Sequence, residues 1–203
     1  MLTILIIALT VVISMIAFAQ HNFFDKARFY PYYIHHNKEY WRWMSGGFIH
    51  ADYFHLAVNM LTLYFFGPVV EAYFTQLFGA NGLFLFGVMY LLAIPVSSMY
   101  SYFRHQNDIG YAAIGASGAV SAILFSSILF APLTTLQLYF AIPIPAWLFG
   151  ILYLFYSWSM SKKQLDNIGH DAHFFGALFG IVFTILIKPD IVLHFISQFT
   201  GTR

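Results

Sequence analysis

Residues 109–161 read IGYAAIGASGAVSAILFSSILFAPLTTLQLYFAIPIPAWLFGILYLFYSWSMS and contain no Asp, Glu, Lys or Arg. At ~1.5 Å per helical residue such a run crosses a ~30 Å hydrocarbon core twice. Ala131-Pro132 and Ile142-Pro143-Ile144-Pro145 are its natural breaks, because proline removes a backbone donor and collides with the preceding turn. Working outward, charge punctuates the rest of the chain in the same way. Residues 1–20 carry none, Asp52 and Glu71 bracket a run at 53–70, and the stretch from Glu71 to Arg104 is uncharged. Gly79-Ala80-Asn81-Gly82 marks a turn within that stretch, and a last run begins near Ala172 and ends at Lys188-Pro189. Six helices with an apolar periphery are expected, since only helices and closed barrels satisfy their backbone groups in lipid.

Composition agrees. The chain has 203 residues, 60% of them hydrophobic and 8% charged, against roughly 25% charged in a soluble domain. Its mean hydropathy is +0.72. It has no cysteine, which excludes disulfides, thiolate chemistry and Cys-ligated metals. A net charge of +1 gives no electrostatic basis for binding nucleic acid. The expected class is an all-α, multi-pass membrane protein embedded in a lipid bilayer. Ala17-Phe18-Ala19 has the small-x-small look of a signal-peptide cleavage site, but no Lys or Arg precedes it and the apolar run exceeds a typical h-region. Residues 1–20 are therefore expected to form a span.

The connection at residues 21–49 interleaves Asp25, Lys26, Arg28, Lys38, Glu39 and Arg42 with many aromatic residues. Amphipathic rings favour the headgroup level, and a long connection without structure of its own is uncommon. A folded interfacial segment is expected there.

Polar residues within apolar spans are functional candidates by default. Three clusters stand out: His50-Ala-Asp-Tyr-Phe-His55-Leu-Ala-Val-Asn59, Gly115-Ala116-Ser117-Gly118, and His170-Asp171-Ala172-His173 leading into Gly176 and Gly180. They open the second, fourth and sixth spans, which run in one direction, so they lie on one side of the membrane and can converge. His55 and Asn59, four apart, share a helical face, while His50 is placed to cap or brace the loop. Gly176 and Gly180 form a small-xxx-small face that admits another helix closely, and His173 projects from it. Gly115 and Gly118 clear the space around Ser117. A Ser117–His173 pair supplies what acyl transfer needs, a hydroxyl with an adjacent base. The Ser117 N–H, Asn59 and His55 are candidates for stabilising an oxyanion. Asp171 faces elsewhere on its helix and Asp166 lies in the loop before it, so the expected arrangement is a dyad.

These residues resemble the rhomboid intramembrane serine proteases. The likeness rests on Trp41-Arg42 in the first loop, the His50, His55 and Asn59 spacing, Gly67 followed by Glu71, the Gly115-Ala116-Ser117-Gly118 motif, and Ala172-His173 ahead of Gly176 and Gly180. It extends over about residues 40–187 of a single domain at 1–203. It implies a six-helix rhomboid-like bundle with a membrane-embedded first loop. Ser117 would be the nucleophile and His173 the general base, with His55 and Asn59 in the oxyanion hole. His50, Gly115 and Gly118 would support them, and Arg42 and Glu71 would hold structural hydrogen bonds. It further implies cleavage of transmembrane protein substrates near the membrane surface, with small residues around the cut and no metal or cofactor. The expected location is a bacterial inner membrane. Where some members carry a tyrosine that stacks on the histidine, one turn after the serine, this chain has Ser121. Phe174 or Phe175 is expected to hold the ring instead. His170 reads as a polar residue at the loop end, with an exchange of roles with His173 as the alternative.

Two matters stay open on sequence. Nine histidines, among them His35-His36, His50/His55 and His170/His173, would also suit a metal- or haem-binding membrane oxidoreductase. That alternative leaves Asn59 and the glycine-flanked serine unexplained. Lys26, Arg28, Lys38, Arg42, Arg104, Lys162 and Lys163 fall on the side of the polar clusters, which by the positive-inside rule would be cytoplasmic. The resemblance implies the outer side, and a first loop folded into the membrane is a poor subject for charge counting.

Overall fold

The computed structural model describes residues 1–138, 141–163 and 169–201. The bundle helices lie where the charge punctuation put them: α1 (Leu2–Ala19), α5 (Tyr53–Phe78), α6 (Asn81–Ser97), α8 (Ser117–Phe130), α9 (Ala146–Lys163) and α10 (His170–Ile187). Only a short break at Ser98 separates α6 from α7 (Met99–His105). Among the described residues, four stretches are long and apolar enough to cross a membrane, namely Leu2–Ala19, Tyr53–Phe78, Asn81–His105 and His170–Ile187. The other two bundle helices have their own reasons for falling short. The second half of α9 carries three serines and Lys162-Lys163. The 14 residues of α8 give only about 21 Å.

The shortness of α8 organises the molecule. Nearly every residue from Gly118 to Phe130 is buried, because α5, α6 and α10 all pack around it. Small residues at Gly118, Ala119, Ser121, Ala122, Ser126 and Ser127 let those helices approach closely. Gly176 and Gly180 on α10 rest directly on the backbones of Gly118 and Ala122, and a Cβ at either glycine would collide there. Lower down, Thr184 donates to Ser126 Oγ at 2.7 Å. Ser117 is the first residue of this short, enclosed helix.

The segment between α1 and α5 is folded, as expected. It forms α2 (His21–Ala27), α3 (Pro31–Asn37), α4 (Arg42–Ser45) and a 3₁₀ turn at Gly46–Phe48. Buried Arg42 is its hub. Its guanidinium donates to the Asp25 and Arg28 carbonyls at 2.9 and 3.0 Å and to Glu39 at 2.6 Å, and it lies over the Tyr30 and Tyr33 rings. Arg28 pairs with Asp25 at 2.8 Å. Both arginines are thus built into the structure of the loop. At the far end of the bundle, Glu71 of α5 accepts the Leu2 and Thr3 amides at 2.9 and 3.0 Å and the Thr3 hydroxyl at 2.6 Å. A carboxylate from one span thus caps the N-terminus of another, where the helix dipole favours it.

Two features of the fold have no counterpart in the sequence expectations. The proline-rich break after α8 is an antiparallel hairpin, β1 (Thr135–Leu138) against β2 (Ile142–Pro145). Beyond Lys188-Pro189 the chain turns into α11 (Ile191–Thr200), an amphipathic helix whose His194 lies 2.9 Å from the Phe130 carbonyl.

Candidate functional site

The glycine-flanked serine loop is held from three directions before α8 begins. Phe29 and Ala113 exchange backbone hydrogen bonds at 3.0 and 2.9 Å, so the first loop pairs with the segment leading to the serine. The Gly115 amide donates to the Gly46 carbonyl at 2.9 Å. The Ala116 amide donates to His50 Nε2 at 3.5 Å. Gly115 has φ +121°, a conformation that only glycine takes readily, and a Cβ there would run into the His55 imidazole. The loop can therefore turn tightly into α8 and still leave His55 its place.

His50 is the brace anticipated from its position. Its ring is fully buried. Nδ1 lies 3.0 Å from Ser14 Oγ, which in turn donates to the Phe48 carbonyl at 3.0 Å. With Nε2 accepting from Ala116, the bonding pattern assigns the proton to Nδ1, and a single chain runs Ala116 to His50 to Ser14 to Phe48. Burial, reinforced by neighbouring His55 and opposed by Asp52, pushes the His50 pKa down to about 3. The ring stays neutral, as a residue that both accepts and donates must. His55 packs edge-on against it, with ring centroids 5.0 Å apart.

His55 and Asn59 share one face of α5, as their spacing required. Asp52 caps this helix by accepting the His55 amide at 2.7 Å. Buried Asn59 donates from Nδ2 to the His55 carbonyl at 2.9 Å, which uses one of its two amide hydrogens. Ser117, at the first position of α8, has an N–H with no acceptor inside its own helix. A small cavity of about 30 Å³ adjoins it, lined by Phe29, Gly46, Ser97, Gly115, Ser117 and Gly118 among others. That is room for a water molecule.

His173 stands one turn before Gly176, where α10 rests on Gly118, so the first turns of α8 and α10 meet beside Ser117. Its imidazole is faced by Tyr153 of α9, with ring centroids 6.1 Å apart at 23°. The Tyr153 hydroxyl is 2.6 Å from Ser121 Oγ. This corrects the expectation for Phe174 and Phe175, which turn outward instead to meet Trp158 and Tyr100. The reason is helical geometry: residues one and two places after His173 point away from the face that α10 presents to α8. Buried His170 meets the edges of His173 and Tyr156, at 5.9 and 5.4 Å. Asp171 accepts from the Ala172 amide at 2.9 Å and from the Ser101 hydroxyl of α7, facing away from His173 as its helical offset implied. Asp166 lies outside the described residues.

Among the described residues, no three His, Asp or Glu side chains converge into a set that could ligate a metal ion. The histidine pairs make ring contacts with each other, and His50, His35 and His36 hydrogen-bond to Ser14, Tyr102 and Asn107. Sequence inspection missed the Phe29–Ala113 and Gly46–Gly115 bonds, which are backbone contacts and leave no side-chain signal. It also missed Tyr153, a residue like any other in an aromatic-rich span.

Comparison with known proteins places this geometry in a family. The family model described as the Rhomboid domain matches residues 37–190. The chain is 31% identical over 144 residues to the RHOMBOID-like protein 12, mitochondrial, of Arabidopsis thaliana, covering 66% of this chain and 42% of that protein. It is 26% identical over 164 residues to the Rhomboid-related protein 1 of Caenorhabditis elegans, covering 79% and 43%. It is 25% identical over 194 residues to the Rhomboid-like protein 11, chloroplastic, of Arabidopsis thaliana, covering 88% and 64%. The chain thus spans less than two thirds of the length of each of these relatives. A family match from the end of the first loop through α10, on helices long and apolar enough to cross a bilayer, makes this chain an integral membrane protein of the rhomboid family.

Proposed function

We propose that the chain is an intramembrane serine endopeptidase with Ser117 as nucleophile and His173 as general base. The observation that carries this reading is the meeting of two helix starts. Ser117 opens the enclosed helix α8, and α10 brings the His173 turn onto it through the Gly176–Gly118 backbone contact. In the first step Ser117 Oγ attacks the carbonyl carbon of a peptide bond while His173 takes the hydroxyl proton. The electron pair of the C=O bond moves onto oxygen, where the Ser117 N–H, the second Asn59 amide hydrogen and His55 would receive it. Collapse of that intermediate breaks the C–N bond, and the proton on His173 goes to the leaving amine. Water then attacks the acyl-serine by the same path in reverse roles, and the small cavity beside Ser117 supplies space for it.

His50, Gly115, Gly118 and Arg42 support this chemistry at a distance, holding the serine loop, the helix crossing and the first loop. Glu71 secures α1. The partners are transmembrane protein substrates, reached from the bilayer, and the membrane we assign is a bacterial inner membrane. Cell fractionation with the tagged full chain checks that location. The activity is tested by co-reconstituting the protein in liposomes with a panel of single-span membrane proteins. A cut near the end of the span on the active-site side, lost in Ser117→Ala and in His173→Ala, is expected. Cleavage that persists in either variant overturns the assignment.

A further inference from the structure

The ring that faces His173 comes from a neighbouring helix, and it is tied back to the helix of the serine. We infer that Tyr153 is the positioning residue for the His173 imidazole and that Ser121 sets Tyr153 in place; this rests on the dyad described above.

Tyr153 and Tyr156, three apart on α9, meet His173 and His170, three apart on α10, so the two helices share a short ladder of rings. Its two rungs differ. Tyr156 meets His170 at 83°, an edge contact, whereas Tyr153 lies at 23° to His173, face towards face. The near-parallel phenol ring 6.1 Å from the imidazole limits how far that imidazole can turn about its side chain before the two rings meet. Phe125 and Phe149 close around Tyr153, with centroids at 5.5 and 5.7 Å. Its hydroxyl ends 2.6 Å from Ser121 Oγ.

Ser121 is nearly inaccessible and sits one turn after Ser117 on the same face of α8. The tether therefore refers the position of the His173 ring to the helix that carries the serine. It also explains why a small hydroxyl residue suits position 121. A bulky side chain there would occupy the space of the Tyr153 ring, and an alanine would leave the phenol O–H without this partner. A general base acts only from within hydrogen-bond reach of the proton it takes, so a ring free to rotate spends most of its time misaligned.

The test uses the full chain in detergent and a fluorophosphonate probe, reading the maximal inactivation rate and the probe concentration at half-maximal rate separately. Tyr153→Leu removes the ring but keeps apolar bulk. Its maximal rate is expected to fall by up to about 10²-fold, the scale of a catalytic group displaced by ~1 Å, with the half-saturating concentration unchanged. Tyr153→Phe and Ser121→Ala break the same hydroxyl pair without removing the ring. They should slow inactivation by similar factors at a temperature where both stay folded, and the double variant should be no slower than either. A wild-type maximal rate in Tyr153→Leu overturns the positioning role while leaving the dyad in place, and wild-type rates in both conservative variants overturn the tether. Multiplying losses in the double variant overturn the tether. Unimpaired labelling of His173→Ala instead removes the dyad and the proposal with it.

Discussion

His50 Nδ1 lies 3.0 Å from Ser14 Oγ, joining the serine loop to the first span across 36 residues of sequence. The link works only while the imidazole is neutral, because its Nε2 must accept from Ala116. In the folded chain the His50 pKa is pushed down to about 3 from an ordinary value of 6.5. An unfolded chain therefore binds the extra proton between those values, and the folded one does not. His50's contribution is whole above about pH 6.5 and is lost as pH falls through that window towards 3. Melting temperature in detergent should drop from pH 7 to pH 5, and His50→Gln should flatten that dependence. An equally steep dependence in His50→Gln would assign the acid sensitivity to other groups.

The α8–α10 crossing permits no side chain at Gly176 or Gly180, whose absent Cβ atoms face the backbones of Gly118 and Ala122. Gly176→Ala should force the helices apart and cost about 1–3 kcal/mol. Labelling of Ser117 should fall with it, since the His173 turn is carried on the same helix. Denaturant unfolding in mixed micelles checks the first effect and probe labelling the second.

Asn59 is buried and spends one amide hydrogen on His55. If the other serves the oxyanion, Asn59→Ala should lower turnover on the order of 10²–10³, as for one lost donor. An unchanged rate would remove Asn59 from that role.

Glu71 accepts three hydrogen bonds from Leu2 and Thr3. Glu71→Ala should destabilise the fold by about 1 kcal/mol or more, the scale of a lost helix cap, while Glu71→Gln, which keeps an acceptor, should cost less. Thermal unfolding of both variants measures the difference. Since Glu71 lies at the far end of the bundle from Ser117, labelling at a temperature where the variants stay folded should be unaffected.

The span order was legible because charge is so scarce that each charged residue marks a boundary. The candidate site was legible because His50, His55, Asn59, Ser117 and His173 stand where polar groups are otherwise unfavourable in lipid. The brace at His50 followed from its place just ahead of α5. The ring facing His173 did not follow, because it depends on how α9 docks against α10. Helical offset alone should have removed Phe174 and Phe175 from consideration. The pairing of β1 with β2 was hidden by the prolines of β2, which read as a break. Pro143 and Pro145 fit in β2 because a two-stranded ribbon has an edge needing no donor. The amphipathic α11 was overlooked because Lys188-Pro189 read as the end of the bundle.

The central claim is that Ser117 is activated by His173. Its most direct test is fluorophosphonate labelling of the detergent-purified protein, comparing wild type with Ser117→Ala and His173→Ala, after metal content has been measured. Labelling of wild type alone, in metal-free protein, is the result this account predicts. Labelling that survives either substitution, or protein that resists the probe and carries stoichiometric iron or zinc, would contradict it.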